Sequence, residues 1–122
     1  MAKILIVDDS NYARRVHRKV LEEAGHTVME SSTGMGAIES FSLEKPDGVL
    51  LDLSMEDLGG LEVLRMLRGM DAAARVVVCS ADVQRTTEEM VVAAGAQQFL
   101  AKPADHAKLV QAFASLAQGT AT

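Results

Sequence analysis

The stretch ILIVDDS, residues 4–10, carries the pattern on which the fold class depends. Its four consecutive aliphatic residues, without polar alternation, predict a strand that is buried on both faces, as in a parallel sheet covered by helices. The acid pair Asp8 and Asp9 ends this strand, and either Asp9 or Ser10 can cap the helical pattern that follows. That pattern stops at Gly25, a residue type that commonly ends helices. The stretch therefore predicts the beginning of a strand-loop-helix unit.

Further runs of the same kind follow, so that strands and helices alternate along the chain. The five predicted strands are residues 3–7, 26–31, 48–51, 75–79 and 97–100, and the later helices begin near Thr33, Gly60, Asp82 and Asp105. Alternating strands and helices with right-handed crossovers lead to a doubly wound parallel α/β sheet. We predict a flavodoxin-like (βα)₅ fold with strand order 2-1-3-4-5 and a ligand crevice at the carboxyl ends of strands 1 and 3. In the fourth helix, the residues predicted to face the core are Val83, Met90, Val91 and Ala94.

The composition indicates one globular domain of ordinary size, since the chain has 122 residues, of which 48% are hydrophobic and 24% charged. Its net charge of -5 argues against general attraction to nucleic acid or to an anionic membrane surface. The sequence has no recognisable signal peptide or membrane-spanning run, and its single cysteine, Cys79, excludes an internal disulfide. We therefore expect a cytoplasmic protein with one domain over residues 1–118, a short flexible tail over 119–122 and no fused output domain.

Polar residues that can do chemistry follow the strands at their carboxyl ends. Asp8 and Asp9 follow strand 1, Asp52 follows strand 3, Ser80 follows strand 4 and Lys102 follows strand 5. In a parallel sheet these ends share one edge, so the five side chains are expected to converge. Two carboxylates about 4 Å apart repel by about 4 kcal/mol at an effective dielectric of 20, so three of them need a cation. Oxygen ligands suit Mg²⁺, with Asp9 and Asp52 as its direct ligands.

Such a cluster can also support phosphoryl transfer. An Asp carboxylate beside Mg²⁺ can attack a phosphoryl group and form an acyl phosphate. The Lys102 ammonium and the Ser80 hydroxyl would then stabilise the negative oxygens. Taken singly, each residue has a simpler explanation: Asp9 as a helix cap, Asp52 as a solvated strand end, Lys102 as an exposed charge. Their coincidence at one edge favours a phosphoryl site.

Four segments resemble the receiver domain of two-component response regulators, the CheY-like family. They are ILIVDDS with its acid pair, LLDLSMEDLGGLEVL with Asp52, CSA with Ser80, and FLAKP with Lys102 before Pro103. The resemblance extends over nearly the whole chain. It implies a signalling protein that accepts a phosphoryl group on an Asp from a histidine kinase or histidine phosphotransferase, and that is no enzyme beyond catalysing its own phosphorylation and dephosphorylation.

The resemblance also implies a role for each matching residue around the acceptor. Asp52 would be the phosphoacceptor, and Lys102 would bind the phosphoryl group. Asp9 and the Ser54 backbone carbonyl would join Asp52 on Mg²⁺, with Asp8 acting through a water molecule. The implied cofactor is therefore Mg²⁺.

Further residues match family positions that take part in the conformational switch or set the lifetime of the phosphoryl group. Ser80 and Phe99 occupy the switch pair, in which the hydroxyl moves toward the phosphoryl group and the ring follows inward. Ser54 and Asp82 occupy positions that tune the lifetime of the phosphoryl group. The peptide bond before Pro103 is often cis in the family.

The sequence departs from the family pattern at three positions. Glu56 stands where the family usually has Pro, and Gly59 stands where it has Asp or Asn, so the loop after Asp52 lacks the ring that usually stiffens it. The switch residue is Phe99 and not the commoner Tyr, so it has no hydroxyl to hydrogen-bond and acts sterically.

Two surfaces are candidates for partner binding. The first predicted helix carries a basic face made of Arg14, Arg15, Arg18 and Lys19. This face is either a solvated surface or a docking surface for an acidic kinase or phosphotransferase, because opposite charge accelerates encounter. We expect the face made of helix 4, strand 5 and helix 5 to bind an unknown downstream protein.

Other conspicuous residues are predicted to have structural roles. The histidines His17, His26 and His106 lack metal-ligand spacing and are predicted to lie at the surface. The methionines, Met66 and Met90 among them, are predicted to fill gaps in the core or the loops.

Two other functions stay open. A receiver-like interaction module would bind its partner without phosphorylation, and a Mg²⁺-dependent phosphohydrolase would use the same Asp as its nucleophile. Such phosphohydrolases commonly have a second acid where Ser54 stands, and a flavin carrier is disfavoured by the acid pair after strand 1. A Mg²⁺ titration separates a receiver from the interaction module.

Overall fold

The computed structural model describes residues 2–54 and 57–119, in which five strands form one parallel sheet. The strands are β1 (Lys3–Val7), β2 (Thr27–Ser31), β3 (Gly48–Asp52), β4 (Arg75–Ser80) and β5 (Gln98–Ala101). The helices are α1 (Asn11–Glu23), α2 (Gly34–Glu44), α3 (Gly60–Met70), α4 (Arg85–Ala93), α5 (His106–Ala112) and α6 (Ala114–Gly119). The sheet order is β2-β1-β3-β4-β5, which confirms the predicted flavodoxin-like, doubly wound α/β fold.

The sheet has a hydrophobic core on each face. Leu5 and Val7 face the core that β1 shares with α2, α3 and α4, and Ile4 and Ile6 face the core that it shares with α1 and α5. Cys79 of β4 is buried in this second core. Successive residues of a strand point to opposite faces, so a strand covered on both sides needs an uninterrupted apolar run. This explains why the strands read as continuous aliphatic segments.

Side-chain caps determine where three of the helices begin. Ser10 caps α1 by accepting a hydrogen bond from the backbone N–H of Ala13, and Thr33 caps α2 in the same way from Gly36. Asp105 caps α5. Of the two candidates for the α1 cap, the structure selects Ser10, which leaves the Asp9 side chain available to the sheet edge.

The fourth helix differs from the prediction. It begins at Arg85 and not at Asp82, because Asp82 lies in a hydrogen-bonded turn that precedes the helix. Val83 and Met90 were predicted to face the core, but they are 60% and 55% exposed. Only Val91 of this group is buried. An apolar residue on a short helix is not evidence of burial, since much of a folded protein's surface is apolar.

The methionines also lie differently from the prediction. Four of those in the described residues are exposed on helices: Met35, Met66, Met70 and Met90. Among the methionines that the structure describes, only Met29 packs against the core. The gap-filling role is therefore wrong for these four residues.

The end of the chain contains a break that periodicity did not predict. The predicted fifth helix is divided at the buried Phe113 into α5 and α6. The last helix ends at Gly119, and residues 120–122 of the predicted tail lie outside the described residues. Glu56, in the loop after β3, also lies outside them. None of the helices in the described ranges combines the length and apolarity needed to span a membrane.

Candidate functional site

The structure brings the predicted acidic and basic site residues to one edge of the sheet. Asp8 and Asp9 directly follow β1, Asp52 is the last residue of β3, and Lys102 directly follows β5. The Lys102 backbone N–H also donates to the carbonyl of Ser80, the last residue of β4, at 2.9 Å. Parallel pairing therefore places these strand ends side by side.

Asp8, Asp9 and Asp52 form a compact acidic cluster. Each offers a carboxylate oxygen, and these atoms lie within 4.8 Å of one another. Asp8 and Asp52 are each 3% exposed, whereas Asp9 is open to solvent. The pKa of Asp52 is raised above its usual value, mainly by burial and secondly by the negative charge of Asp8. Clustered oxygen donors with one side open to water fit Mg²⁺, which retains several water ligands.

The Lys102 ammonium lies between the two buried carboxylates. Its Nζ is 2.8 Å from Asp8 Oδ2 and 3.5 Å from Asp52 Oδ2. Burial lowers the pKa of Lys102, but the hydrogen bond to Asp8 and the charge of Asp52 outweigh this effect and raise the pKa overall. Lys102 is therefore a cation at neutral pH and offsets part of the repulsion within the acidic cluster.

The loop that carries the acid pair is held by hydrogen bonds. The Ser10 backbone N–H donates to Asp8 Oδ1 at 2.9 Å, and Arg14 Nη1 donates to the Asp8 carbonyl at 2.5 Å. Arg14 also pairs with Glu30 of β2 at 3.0 Å. Sequence reasoning placed Arg14 on a basic face that was either solvated or a docking surface, and it missed this contact because the acceptors lie on other elements.

The predicted basic face is partly neutralised. Glu30 pairs with both Arg14 and Arg18, the latter at 2.5 Å. Arg15 and Lys19 are exposed. Any attraction of an acidic partner to this helix therefore depends mainly on Arg15 and Lys19.

Ser80 lies close to Asp52, at the end of the neighbouring strand. Asp52 pairs with Cys79 in the sheet register, so Ser80 is one residue beyond that pair. Its buried Oγ accepts a hydrogen bond from the Asp82 backbone N–H at 3.0 Å. Phe99 of β5 is half-buried against the core that includes α4. The Ser80 hydroxyl is thus hydrogen-bonded directly to the turn at Asp82.

The turn at Asp82 and the peptide bond before Pro103 both lie near the site. The Asp82 carboxylate accepts hydrogen bonds from the Gln84 backbone N–H at 3.1 Å and from the Thr87 hydroxyl at 2.8 Å, so it organises the turn before α4. The bond between Lys102 and Pro103 is cis, as the resemblance implied.

The loop between β3 and α3 contains a residue that sequence reasoning missed. Asp57 accepts hydrogen bonds from the backbone N–H groups of Gly34 at 2.9 Å and Met35 at 3.0 Å, which begin α2. These hydrogen bonds lower the pKa of Asp57, and the bond from Met35 has the largest effect. The partners are more than twenty positions away, so no local pattern could have indicated this contact. Ser54 is exposed, and its backbone N–H acts to lower the pKa of Asp52.

Two of the histidines are buried and not at the surface as predicted. His17 is 4% exposed and His26 is 6% exposed, and the Nδ1 atom of each has no hydrogen-bond partner among the described residues. The pKa of His17 is lowered, mainly by burial. The charge of Asp8 acts to raise this pKa, whereas the charges of Lys102 and His106 act to lower it further. The signal that could have placed His17 inside is its spacing of four residues from Leu21, which is buried.

Comparison with known proteins identifies the family to which this constellation belongs. The family model of the response regulator receiver domain matches residues 4–114. The chain belongs to this family. The chemotaxis protein CheY of Thermotoga maritima is 32% identical over 111 residues, which cover 90% of this chain and 92% of CheY. Receiver domains generally bind Mg²⁺ at an acidic pocket, and the Asp cluster occupies the corresponding edge of this fold.

Two further relatives show the range of proteins in which this domain is found. The sensory/regulatory protein RpfC of Xanthomonas campestris pv. campestris is 38% identical over 122 residues, which cover 97% of this chain but 17% of RpfC. The crystal structure of a LuxR-family two-component response regulator from an Aurantimonas species matches with a TM-score of 0.89 at 30% identity, covering 98% of this chain and 86% of that chain. The chain is thus a receiver domain, a signalling module of two-component systems.

Proposed function

We propose that this receiver domain takes a phosphoryl group from a histidine kinase or histidine phosphotransferase onto Asp52. The observation that carries the proposal is the position of Asp52 Oδ2, which lies 3.5 Å from the Lys102 ammonium and beside two further carboxylates. An Asp52 oxygen forms a bond to phosphorus while the bond from phosphorus to the donor's imidazole nitrogen breaks. The Lys102 ammonium favours the ionised form of Asp52, which is the nucleophile, and so opposes the burial and the Asp8 charge that raise the pKa of Asp52.

The other residues of the site have distinct roles in this proposal. Lys102 contacts the phosphoryl oxygens, for which its raised pKa and central position suit it. Asp9, Asp52 and the Ser54 carbonyl hold Mg²⁺, with Asp8 acting through water. When bound, Mg²⁺ supplies positive charge that stabilises the transferred group.

The signal is passed on through Ser80 and Phe99. The Ser80 oxygen accepts a hydrogen bond from the Asp82 backbone, and its hydroxyl proton can be donated to a phosphoryl oxygen. Movement of Ser80 toward the phosphoryl group then opens space into which the Phe99 ring turns. Asp82 and Ser54 flank the path of the water that hydrolyses the phosphoryl group, and so set its lifetime. A downstream protein reads the change on the face made of α4, β5 and α5.

The phosphodonor docks beside α1. A cleft of about 360 Å³ opens next to Lys102 between α1 and the loop after β5, lined by Ser10, Tyr12, Ala13, Val16, His17, Ala81, Lys102 and Pro103. Tyr12 at its rim is 73% exposed. An apolar cleft with the exposed cations Arg15 and Lys19 on the same helix suits an acidic helical partner that presents a phosphohistidine. We place this encounter in the cytoplasm.

Treatment with Mg²⁺ and acetyl phosphate tests the proposal. The protein should gain the mass of one phosphoryl group, and Asp52→Asn should not. The control Asp71→Asn, which removes an exposed acid from the loop after α3, should be labelled like the wild type. Labelling of Asp52→Asn at the wild-type level would refute the acceptor assignment, and Mg²⁺-independent partner binding without any labelling would favour the interaction module. Release of many equivalents of phosphate from a small phosphomonoester would instead favour a phosphohydrolase.

A further inference from the structure

The loop after Asp52 is closed at its base by the backbone. The Gly60 N–H donates to the Leu53 carbonyl at 3.2 Å. A Cβ atom on Gly60 would lie 2.4 Å from Leu53 Cα and 2.8 Å from the Asp52 carbonyl oxygen, so only glycine permits this approach. The two ends of the loop are therefore in direct contact beside the acceptor.

The far side of the loop is anchored to a different helix by Asp57. One oxygen of its carboxylate accepts the Gly34 N–H and the other accepts the Met35 N–H. The third amide of α2, that of Gly36, is already satisfied by Thr33. Leu58 packs beside this anchor, since a Cβ atom on Gly34 would lie 2.8 Å from Leu58 Cβ. Asp57 thus uses both carboxylate oxygens to fasten the loop to α2.

Ser54 lies between these two attachments. Residues 53–59 contain no proline, so no pyrrolidine ring fixes a φ angle between the two attachments. The Ser54 backbone N–H acts as a donor that lowers the pKa of Asp52, and the Ser54 carbonyl belongs to the next peptide unit along the chain. A carbonyl that ligates a metal needs its orientation held, and groups that hold ligands affect metal affinity strongly.

We infer that Asp57 is a positioning residue that holds the Ser54 carbonyl in place for Mg²⁺ by anchoring the loop to the first turn of α2. The inference rests on the proposed function, because it assumes that Ser54 is a metal ligand. Asp57 acts through the loop and does not itself contact the metal. Its effect is therefore on Mg²⁺ affinity and not on the phosphorylation rate once Mg²⁺ is saturating.

The test compares Asp57→Ala with Thr33→Ala, which removes the other side-chain cap of α2 but leaves the loop anchor intact. Mg²⁺ dissociation constants are measured by titration calorimetry, and folding is measured by urea unfolding. Asp57→Ala should weaken Mg²⁺ binding by about tenfold, at the lower end of the effect of removing a group that orients a metal ligand. Asp57→Asn, which keeps one carbonyl oxygen as an acceptor, should weaken binding less. Thr33→Ala should lower stability and leave the dissociation constant unchanged.

A second readout separates positioning from general damage. At saturating Mg²⁺, Asp57→Ala should be phosphorylated by acetyl phosphate at the wild-type rate, while at low Mg²⁺ it should be slower. Equal Mg²⁺ affinity of Asp57→Ala and the wild type, or equal weakening by Thr33→Ala, would overturn the inference while the proposed function stands. Failure of the wild type to bind Mg²⁺ in a manner that depends on Asp9 would overturn both.

Discussion

Replacing Asp9 by Asn should make the protein more stable without Mg²⁺ and remove its response to Mg²⁺. The three carboxylates have oxygens within 4.8 Å of one another, a distance at which two unit charges repel by about 3.5 kcal/mol at a dielectric of 20 and by about 0.9 kcal/mol in bulk water. Asp9 is exposed, so the aqueous value applies, which gives about 2 kcal/mol for its two neighbours. Loss of its attraction to Lys102 and to the N-terminus of α1 opposes this by about 1 kcal/mol. The net expectation is a gain of about 1 kcal/mol.

Urea unfolding with and without Mg²⁺ measures both effects. At concentrations above its dissociation constant, Mg²⁺ should raise the free energy of unfolding of the wild type in proportion to the logarithm of the Mg²⁺ concentration. The reason is that only the folded protein presents the site. The variant should show no such rise, so the wild type becomes the more stable protein at high Mg²⁺. Glu89→Gln on α4 removes the same amount of charge away from the cluster and should reproduce neither effect. An Asp9→Asn variant that is less stable than the wild type without Mg²⁺ would refute the argument that the acidic cluster is strained.

Three further substitutions test other parts of the structure. Leu in place of the buried His17 should stabilise the protein at pH 7 by about 1–3 kcal/mol, because it removes an Nδ1 that has no hydrogen-bond partner in the described part of the chain. Since burial holds the pKa of His17 in the folded protein below its usual value of 6.5, the wild type should lose stability as the pH falls from 6.5 through that folded pKa. Urea titrations at several pH values should therefore show the advantage of His17→Leu growing in acid, and a constant advantage would contradict this. Gly60→Ala should cost about 3 kcal/mol in the same assay, because the new Cβ would overlap Leu53 Cα. Arg14→Ala should cost about 1–2 kcal/mol through its bonds to Glu30 and the Asp8 carbonyl, whereas the exposed Arg15→Ala should stay within about 0.5 kcal/mol of the wild type.

The strands and their order were predictable because they depend on a strong and simple signal. A strand buried on both faces has to be apolar throughout, and residues 3–7 were predicted with the bounds that the structure gives. The chemistry at the sheet edge followed from topology, since residues after parallel strands meet. Asp8, Asp52 and Lys102 could therefore be grouped without knowledge of any contact between them.

Contacts between distant segments could not be predicted in the same way. The bonds from Asp57 to the start of α2 and from Arg14 to the Asp8 carbonyl depend on how loops pack and leave no periodic trace. The exposure of Met90 and the burial of His17 were missed for a related reason, because residue type is only a weak guide to burial. Side-chain hydrogen bonds also moved the start of α4, since Asp82 forms a turn of its own.

Cys79 offers a practical advantage for following this protein in solution. Burial raises the pKa of its thiol to about 11, so the sulfur stays protonated at neutral pH and is poorly reactive toward alkylating dyes. A cysteine introduced at the exposed Val92 of α4 would then be labelled selectively while the native residue is retained. Fluorescence from that single position would report rearrangements of the helix in real time.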